Sequence, residues 1–315
     1  IVGARSALFL PYTDLGLIVV DESHDHSFKQ EEIINYQCRD MAVMRAKFEQ
    51  FPLILSTATP DLETMVNVES GKYDAVRLTR RFADARLPEL KIVDLKKDKP
   101  QKGPWGVSWL SPPLVGALEE NLQKGEQSML FLNRRGYAPL VICRDCGYRI
   151  QCPNCTAWLA EHRSTNRLIC HHCGYTMVRP VRCPDCGSEE GLTSCGPGVE
   201  RIAEEVAKRF PAARTAVLSS DTTSSLAEVS EIFGKMERGE LDILIGTQIL
   251  AKGHHFPELT LVGIVDADLG LMGSDLRAAE QTYQLLSQVA GRAGRGEKSG
   301  EVWIQTLYPE NAVLQ

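Results

Sequence analysis

Short apolar runs alternate with amphipathic stretches along most of the chain. In the first part, LGLIVV at 15–20 and FPLILS at 51–56 are apolar runs that end in polar residues, as buried parallel strands do. Between them, CRDMAVMRAKF at 38–48 carries apolar residues at helical spacing and contains no helix breaker. The pattern predicts a strand, a helix and a second strand in this order.

The alternation resumes after residue 126. The first predicted element is a strand at SMLFLN, and a cysteine-rich segment comes after it. Beyond this segment the predicted order is a helix at VERIAEEVAKRF, a strand at TAVLSS, a helix at LAEVSEIFGKMERG, strands at LDILIGT and LTLVGIVDAD, a helix at AAEQTYQLLSQVAGRAG and a strand at GEVWIQTL. Strands and helices that alternate at these lengths favour a mostly parallel sheet with helices on both faces. We therefore predict an α/β protein.

A proline-rich stretch separates the two parts. DKPQKGPWGVSWLSPPL at 98–114 contains four prolines and two glycines, which leaves little room for regular structure. A chain of 315 residues also exceeds the length at which one hydrophobic core keeps growing. We therefore assign residues 1–97 to a first unit, residues 98–125 to a linker and the start of a second unit, and the remainder to that second unit.

Composition narrows the class of protein. The hydrophobic fraction of 43% and the charged fraction of 24% are ordinary for a globular protein, and the sequence contains no apolar run long enough to predict a membrane span. The formal net charge of −6 argues against a nucleic-acid-binding protein whose whole surface is basic. It is compatible with a protein that binds nucleic acid in a cleft through local arginines, such as Arg134 and Arg135. The chain begins at Ile1 without a signal peptide pattern, so we expect a portion of a longer cytoplasmic protein.

Eight of the ten cysteines form four CxxC pairs. A CxxC turn places two thiolates on one side of a tight loop and supplies half of a tetrahedral site, so four turns predict two zinc ions per chain. Because four thiolates would fill each shell, no coordination position is left for catalysis and both sites are expected to be structural. In chain order the pairs are Cys143/Cys146, Cys152/Cys155, Cys170/Cys173 and Cys183/Cys186.

Spacing leaves some alternatives for these cysteines. A disulfide framework would need an oxidising compartment, which nothing in the sequence indicates, and an iron–sulfur site is a second, minor alternative. The 14-residue gap between the second and third pairs favours an inner site made by these two pairs and an outer site made by the first and fourth, although an interleaved pairing stays open. We expect His171 and His172 to be exposed, and Cys38 and Cys195 to be packed thiols.

Polar residues follow the predicted strands of the first part, where parallel α/β sheets bind ligands. DESH at 21–24 places two carboxylates after a strand; in a nucleotide hydrolase, Asp21 would hold Mg²⁺ and Glu22 would orient the attacking water. Alone, such a pair is as often a helix cap. STAT at 56–59 offers hydroxyl groups after the neighbouring strand.

Two further motifs lie in the second part. GTQILAKGHHF at 246–256 follows a strand, and its Gly-Thr turn can donate amides and the Thr247 hydroxyl to a phosphate. QVAGRAGR at 288–295 places Arg292 and Arg295 three residues apart between small residues, as suits guanidinium groups that reach a γ-phosphate. Each arginine alone is equally typical of a solvated surface, but the four motifs together favour a nucleotide-driven motor.

In this order, DESH, the TAT element, GTQILAKG and QVAGRAGR resemble the helicase motifs of the DExH-type superfamily-two motors. FLNRRGY at 131–137, followed directly by the double zinc segment, is similar to the replication-restart helicases of that superfamily. The resemblance covers essentially the whole chain. It implies two RecA-like parallel-sheet lobes, the first incomplete, and a small zinc-binding insert at 143–195 within the second lobe, between residues 126–142 and 196–315.

The resemblance also implies a function. Such a helicase uses ATP and Mg²⁺ to move 3′ to 5′ on DNA, remodels stalled replication forks and promotes primosome assembly for replication restart. The implied partners are forked and single-stranded DNA, primosome proteins and the single-stranded DNA-binding protein, in the bacterial cytoplasm. The implied catalytic residues are Asp21, Glu22, His24, Arg292 and Arg295; the implied nucleotide-binding residues are Asp21, Gly253, Gln288, Arg292 and Arg295; and the implied DNA-binding residues are Phe28, Lys29, Thr247 and Arg134.

The sequence departs from the family pattern in three ways. Ser23 stands where a second glutamate is usual, and no G-x-x-x-x-G-K-[ST] element occurs. We also expect the family's C-terminal domain to lie beyond Gln315 in the parent protein. We expect the P-loop and the N-terminal DNA-binding domains to precede this chain in the parent protein, so that this portion alone does not hydrolyse ATP. Two other functions stay open: a non-catalytic zinc scaffold that binds replication partners, and an RNA helicase.

Overall fold

The computed structural model describes the chain apart from residues 31–33, 80–86, 102, 104–107, 134–139, 144, 147, 156–157, 163–166, 171–172, 196–198, 220–224, 252–255, 272–275, 295 and 297, and apart from the side chains of residues 140, 160, 162 and 193–195. It divides into two compact units, Ile1–Arg77 and Leu78–Gln315. Among the described residues, no helix combines the length and the hydropathy needed to cross a bilayer.

The first unit contains the predicted strand, helix and strand. The elements of this unit are β1 (Ile18–Val20), β2 (Lys29–Gln30), β3 (Tyr36–Gln37), α1 (Cys38–Glu49), β4 (Leu53–Leu55) and α2 (Leu62–Glu69). β1 pairs in parallel with β4, from Ile18 opposite Leu53 to Val20 opposite Leu55. Cys38, Ala42 and Ala46 recur at every fourth position of α1 and are buried, which confirms Cys38 as a packed thiol.

The second unit is built on a six-stranded sheet. Its elements, apart from those of the cysteine-rich segment, are β5 (Glu89–Asp94), α3 (Pro112–Gln123), β6 (Gln127–Leu132), α4 (Val199–Arg209), β12 (Thr215–Leu218), α5 (Leu226–Glu237), β13 (Ile243–Gly246), β14 (Leu259–Asp266), α6 (Ala278–Ala290) and β15 (Glu301–Thr306). The strand order is β12-β13-β6-β14-β15-β5, and every neighbouring pair is parallel. The predicted α/β class and parallel sheet are confirmed.

Helices cover both faces of this sheet. On one face Phe131 and Val262 pack against α5 and α6, and on the other Leu130 packs against α3 and α4. All six residues of β6 are buried, as expected of a central strand that is covered on both sides. Packing of the helices on both faces fixes the positions of the strands, and with them the positions of the loops at their carboxyl ends.

The boundary between the units differs from the expected one. We placed residues up to 97 in the first unit, whereas the division falls after Arg77. β5 pairs in parallel with β15 from Glu89 opposite Glu301 to Asp94 opposite Thr306, and it forms the edge of the six-stranded sheet. No local pattern in ELKIVD could indicate this, because its partner strand lies some two hundred residues further along the chain.

The proline-rich stretch is also more regular than expected at its end. Pro112 and Pro113 occupy the first turn of α3, where the missing amide hydrogens are not needed and the fixed φ suits a helix. Ser111 directly precedes the helix, and its backbone N–H donates to Gln305 Oε1 at 2.7 Å. The prolines therefore start a helix that packs on the sheet.

The cysteine-rich segment forms a small sheet of its own. Its strands are β7 (Leu140–Cys143), β8 (Ala160–His162), β9 (Arg167–Ile169), β10 (Thr176–Val178) and β11 (Leu192–Cys195), in the order β10-β9-β8-β7-β11 and all antiparallel. Val141, Ile150, Leu159 and Leu168 form its core together with two of the cysteines. Leu140 pairs with Cys195, so the segment begins and ends at neighbouring strands.

Candidate functional site

The first and fourth cysteine pairs form the outer site. The sulfur of Cys143 lies 3.6 Å from that of Cys186, and the sulfur of Cys146 lies 3.7 Å from that of Cys183. All four sulfurs lie within 4.8 Å of one another. Gly187, directly after the last cysteine, has φ +73° and donates its N–H to the Cys183 carbonyl at 2.9 Å, which closes the turn.

The second and third pairs form the inner site in the same way. The sulfurs of Cys152 and Cys173 are 3.4 Å apart, as are those of Cys155 and Cys170. Gly174 has φ +76° and donates its N–H to the Cys170 carbonyl at 2.9 Å, repeating the turn of the outer site. The grouping is therefore the nested one that the spacing favoured, and not the interleaved one.

The distances between the sulfurs fit zinc. Four thiolates at about 2.3 Å from a tetrahedral Zn²⁺ lie about 3.8 Å from one another, and a disulfide would bring two sulfurs to about 2.05 Å. The observed 3.4–3.7 Å matches a metal site, and none of the described cysteines is in a disulfide. Burial raises the pKa of the Cys143 and Cys146 thiols, so zinc must displace their protons when it binds.

Three residues outside the ligand shell surround the outer site. Ser188 Oγ donates to Asp145 Oδ2 at 2.5 Å and accepts from the Gly191 N–H at 2.9 Å. A Cβ atom at Gly191 would lie 2.6 Å from the Cys143 sulfur and 2.7 Å from Asp145 Oδ2, closer than such atoms approach. Gly191 is therefore needed for space, a requirement that the CxxC pattern did not reveal.

The acidic pair of the first unit lies where β1 ends. Asp21 Oδ1 accepts from Ser56 Oγ at 3.1 Å and from the Glu22 N–H at 3.0 Å. Backbone hydrogen bonds link the same two loops. The Ser56 N–H donates to the Val20 carbonyl at 2.9 Å, and the Ser23 N–H donates to the Ser56 carbonyl at 3.0 Å. DESH and STAT are thus joined at one edge of the two-stranded sheet, as parallel strands require.

Glu22 has an unusual backbone conformation. Its φ is +48°, in the left-handed region that costs a residue with a side chain roughly 1 kcal/mol or more. Asp21 and Glu22 are both exposed, so hydrophobic packing does not explain the strain. Strained residues of this kind cluster at functional sites, which makes Glu22 a candidate on structural as well as sequence grounds.

His24 connects the acidic pair to the TAT element. The residue is buried, its Nδ1 lies 2.6 Å from Thr57 Oγ1, and the same nitrogen lies 3.6 Å from Glu22 Oε2. Thr57 Oγ1 also accepts the Thr59 N–H at 3.1 Å. The imidazole is therefore held between a carboxylate of one loop and a hydroxyl of the next.

The predicted DNA-binding residues of the first unit follow directly. Phe28 ends a short 3-10 turn that begins at His26, and Asp25 caps this turn by accepting the Ser27 N–H at 2.8 Å. Phe28 is half-buried and Lys29 is exposed at the start of β2. The segment is thus anchored by its backbone, and the Lys29 side chain is accessible to solvent.

In the second unit, the two motifs meet. Thr247 follows β13 and leads into a 3-10 turn, Gln248–Ala251. Arg292 is buried, and its guanidinium donates to the backbone carbonyl of Ala251. Gln288 lies half-buried on the last turns of α6. Arg134, Gly253 and Arg295 lie outside the described residues.

Known proteins match both the insert and the lobe that carries it. The PriA DNA helicase Cys-rich region domain matches residues 152–177, and the helicase conserved C-terminal domain matches residues 197–297. The replication restart protein PriA of Rickettsia conorii is 50% identical over 314 residues, covering 100% of this chain and 48% of that protein. The corresponding protein of Bacillus subtilis is 44% identical over 315 residues, covering 100% of this chain and 39% of that protein.

The chain belongs to the PriA family. It spans about half the length of the curated relatives it matches. Likeness to solved structures is weaker: S. cerevisiae Dbp5 bound to RNA and ADP BeF3 aligns with 93% of this chain and 53% of that chain at 14% identity and a TM-score of 0.45. RecG bound to a three-way DNA junction aligns with 94% of this chain and 26% of that chain at 13% identity and a TM-score of 0.45.

In this PriA-family chain, the helicase match includes the GTQ turn and the arginine motif. It also includes an acidic pair, Asp266 and Asp268, for which the sequence alone predicted no role. Asp268 is buried, and its burial beside Asp266 raises its pKa to about 6. The signal was present in the sequence, because Asp266 ends β14 and Asp268 lies two residues beyond it, at the carboxyl edge of the sheet, much as Asp21 and Glu22 follow β1.

Proposed function

We propose that the full-length protein containing this chain is an ATP-dependent DNA helicase that moves 3′ to 5′, remodels stalled replication forks and promotes primosome assembly. The observation that carries the proposal is the junction of DESH and STAT through Asp21, Ser56, His24 and Thr57. It joins an exposed acidic pair to a second loop at the strand ends, as a motor that links nucleotide turnover to movement requires. Membership of the PriA family, whose relatives are replication restart proteins, supports the same function.

Each motor residue has a role that its surroundings can support. Asp21 is an exposed oxygen ligand held by Ser56, which suits Mg²⁺, and the bound ion would neutralise charge on the transferring phosphoryl group. Glu22, fixed by its strained backbone, would orient the attacking water. His24 would transmit the state of this site to Thr57. Gln288, Arg292, Arg295 and Gly253 would contact nucleotide from the second lobe.

DNA contacts are proposed at three segments. Phe28 would stack on a base and Lys29 would bind phosphate, while Thr247 and Arg134 would contact the strand from the second lobe. The zinc insert would bind primosome proteins and the single-stranded DNA-binding protein, with its two metals serving as a rigid frame. We place the protein in the bacterial cytoplasm.

The decisive test is Glu22→Gln in the full-length protein. DNA-stimulated ATP turnover should fall by about 100-fold or more, because the water loses its orienting carboxylate, while nucleotide binding survives. Glu69→Gln, an exposed glutamate at the end of α2, is the matched control and should turn over ATP like the wild type. Full turnover in Glu22→Gln would remove the assigned role.

The substrate is tested separately. Strand displacement should occur on forked DNA and not on an RNA fork of the same sequence; the reverse would support the RNA motor. A full-length wild-type protein that lacks DNA-stimulated ATPase but binds replication partners would support the non-catalytic zinc scaffold instead.

A further inference from the structure

One arginine of the zinc insert reaches out of it. Arg149 lies between the first and second cysteine pairs and is 4% exposed. Its Nη2 lies 3.5 Å from Asp266 Oδ1 and 3.4 Å from Asp268 Oδ2, both in the six-stranded lobe. The guanidinium carbon lies 4.4 Å from the centre of the Trp158 ring, three residues after Cys155. The side chain is thus held by the insert at one face and by the lobe at its end.

The two aspartates fix the backbone around them. Asp266 Oδ1 accepts the Asp268 N–H at 3.0 Å and the Leu269 N–H at 3.2 Å, which caps the 3-10 turn Asp268–Gly270. Asp268 accepts the Leu307 N–H at 2.8 Å and the Thr306 hydroxyl, at the end of β15. The carboxylates of half-buried Asp266 and buried Asp268 lie side by side and repel each other, so the cation of Arg149 stabilises both the turn and the strand end.

The turn is in direct contact with α6. At Gly270 a Cβ atom would overlap Thr282 Oγ1 and Asn133 Nδ2, so the backbone lies directly against α6 and against Asn133 of the FLNRRGY segment. α6 leads to Gln288 and Arg292. A continuous series of contacts therefore runs from Trp158 through Arg149, Asp268 and Gly270 to α6.

We propose that Arg149 is a positioning residue through which the zinc insert sets the position of α6, and with it the nucleotide-contacting Arg292. This inference rests on the proposed motor function. Arg149 touches no nucleotide in this scheme; it acts by neutralising the acidic pair that holds the turn. Loading of the insert with zinc is then linked to ATP turnover through a side chain that is not a metal ligand.

The test compares Arg149→Met with Arg149→Lys in the full-length protein, with Arg167→Met, an exposed arginine of β9, as the matched control. Arg149→Met should keep two zinc ions by elemental analysis. Hydrogen exchange at the Asp268, Leu269 and Leu307 amides should become at least about tenfold faster, because their acceptors lose the compensating charge. Arg149→Lys should lie between the wild type and Arg149→Met.

Turnover supplies the second readout. In Arg149→Met, kcat for DNA-stimulated ATP hydrolysis should fall roughly 3- to 30-fold with little change in KM for ATP, as expected of a displaced charge-stabilising group. Adding Asp266→Asn to Arg149→Met should restore both amide exchange and kcat. The asparagine keeps the side-chain oxygen that accepts the two amides and removes one of the two negative charges that repel each other. General damage to the fold would not be rescued in this way.

Two outcomes would overturn the inference. Loss of a zinc ion in Arg149→Met would show that the arginine serves the insert's own fold, and unchanged amide exchange would show that it does not hold the turn. A wild-type protein without ATPase activity would refute the motor function instead, and the exchange measurement would still decide whether Arg149 holds the turn that lies against α6.

Discussion

Replacing Gly191 with alanine should weaken the outer zinc site selectively. The new Cβ would lie 2.6 Å from the Cys143 sulfur and 2.7 Å from both Asp145 Oδ2 and Ser188 Oγ. Ordinary contact begins near 3.5 Å, so the sulfur or the loop must move by about 0.9 Å. Cys143 is fully buried at the end of β7, and the sulfur has little room to move without leaving the metal.

The size of the effect follows from this overlap. Forcing one extra carbon into a packed site costs about 1–3 kcal/mol, which corresponds to roughly 5- to 150-fold in an equilibrium constant. Because the displaced atom is a zinc ligand, most of this should appear as lower zinc affinity of the outer site. The inner site shares no ligand with it and should be unaffected.

The assay is competition with a chromophoric chelator, followed by elemental analysis of the metal that remains. Gly191→Ala should release one zinc ion at lower chelator concentration than the wild type, and the second ion at the same concentration. Gly187→Ala is the control for backbone strain, since φ there is +73° but the space is open, and its loss should be smaller. In a Cys183→Ser background, in which the outer site already lacks a ligand, Gly191→Ala should cause no further loss of zinc affinity. A competition curve identical to that of the wild type would refute the reasoning.

Two further predictions concern the whole insert and the buried Asp268. Purified protein should contain two zinc ions per chain, and full chelation should abolish amide protection in β7–β11 while the six-stranded sheet keeps its own; one ion, or iron, would contradict the assignment. Because the folded-state pKa of Asp268, about 6, lies above its unfolded value, protonation favours the folded state below pH 6 and this stabilisation is lost as the pH rises through 6. The free energy of unfolding of the wild type should therefore drop by about 1.4 kcal/mol more than that of Asp268→Asn between pH 5 and 7.5 in urea titrations, and equal drops would show that Asp268 does not titrate in this range.

Local pattern predicted much of the fold. Strands with continuous apolar runs, such as β6 and β14, and helices with a clear apolar stripe, such as α4, lie where periodicity placed them. The last predicted helix was too long, because the glycines of QVAGRAG end α6 at Ala290 and Gly294 turns back with φ +63°. The place of β5 in the sheet depends on β15, a distant partner that no local pattern reveals.

The site was predicted unevenly for a similar reason. The CxxC spacing predicts the zinc ligands directly, because each pair of cysteines lies in a single local turn. Gly191 and Arg149 carry no local signal, because their importance lies in atoms brought close only by the fold: the Cys143 sulfur in one case and the Asp266–Asp268 pair in the other. The assignments of Asp21, Glu22 and Arg292 to catalysis stay predictions.

The pairing of Leu140 with Cys195 has a consequence for the insert as a mechanical part. The chain leaves the lobe and returns to it on adjacent strands, so the main chain attaches the insert to the lobe at one place. An insert attached only there could rotate about that place. The contact of Ile142 with Leu307 and the ion pairs of Arg149 with Asp266 and Asp268 are further points of attachment, so a rotation of the insert would be transmitted to the lobe.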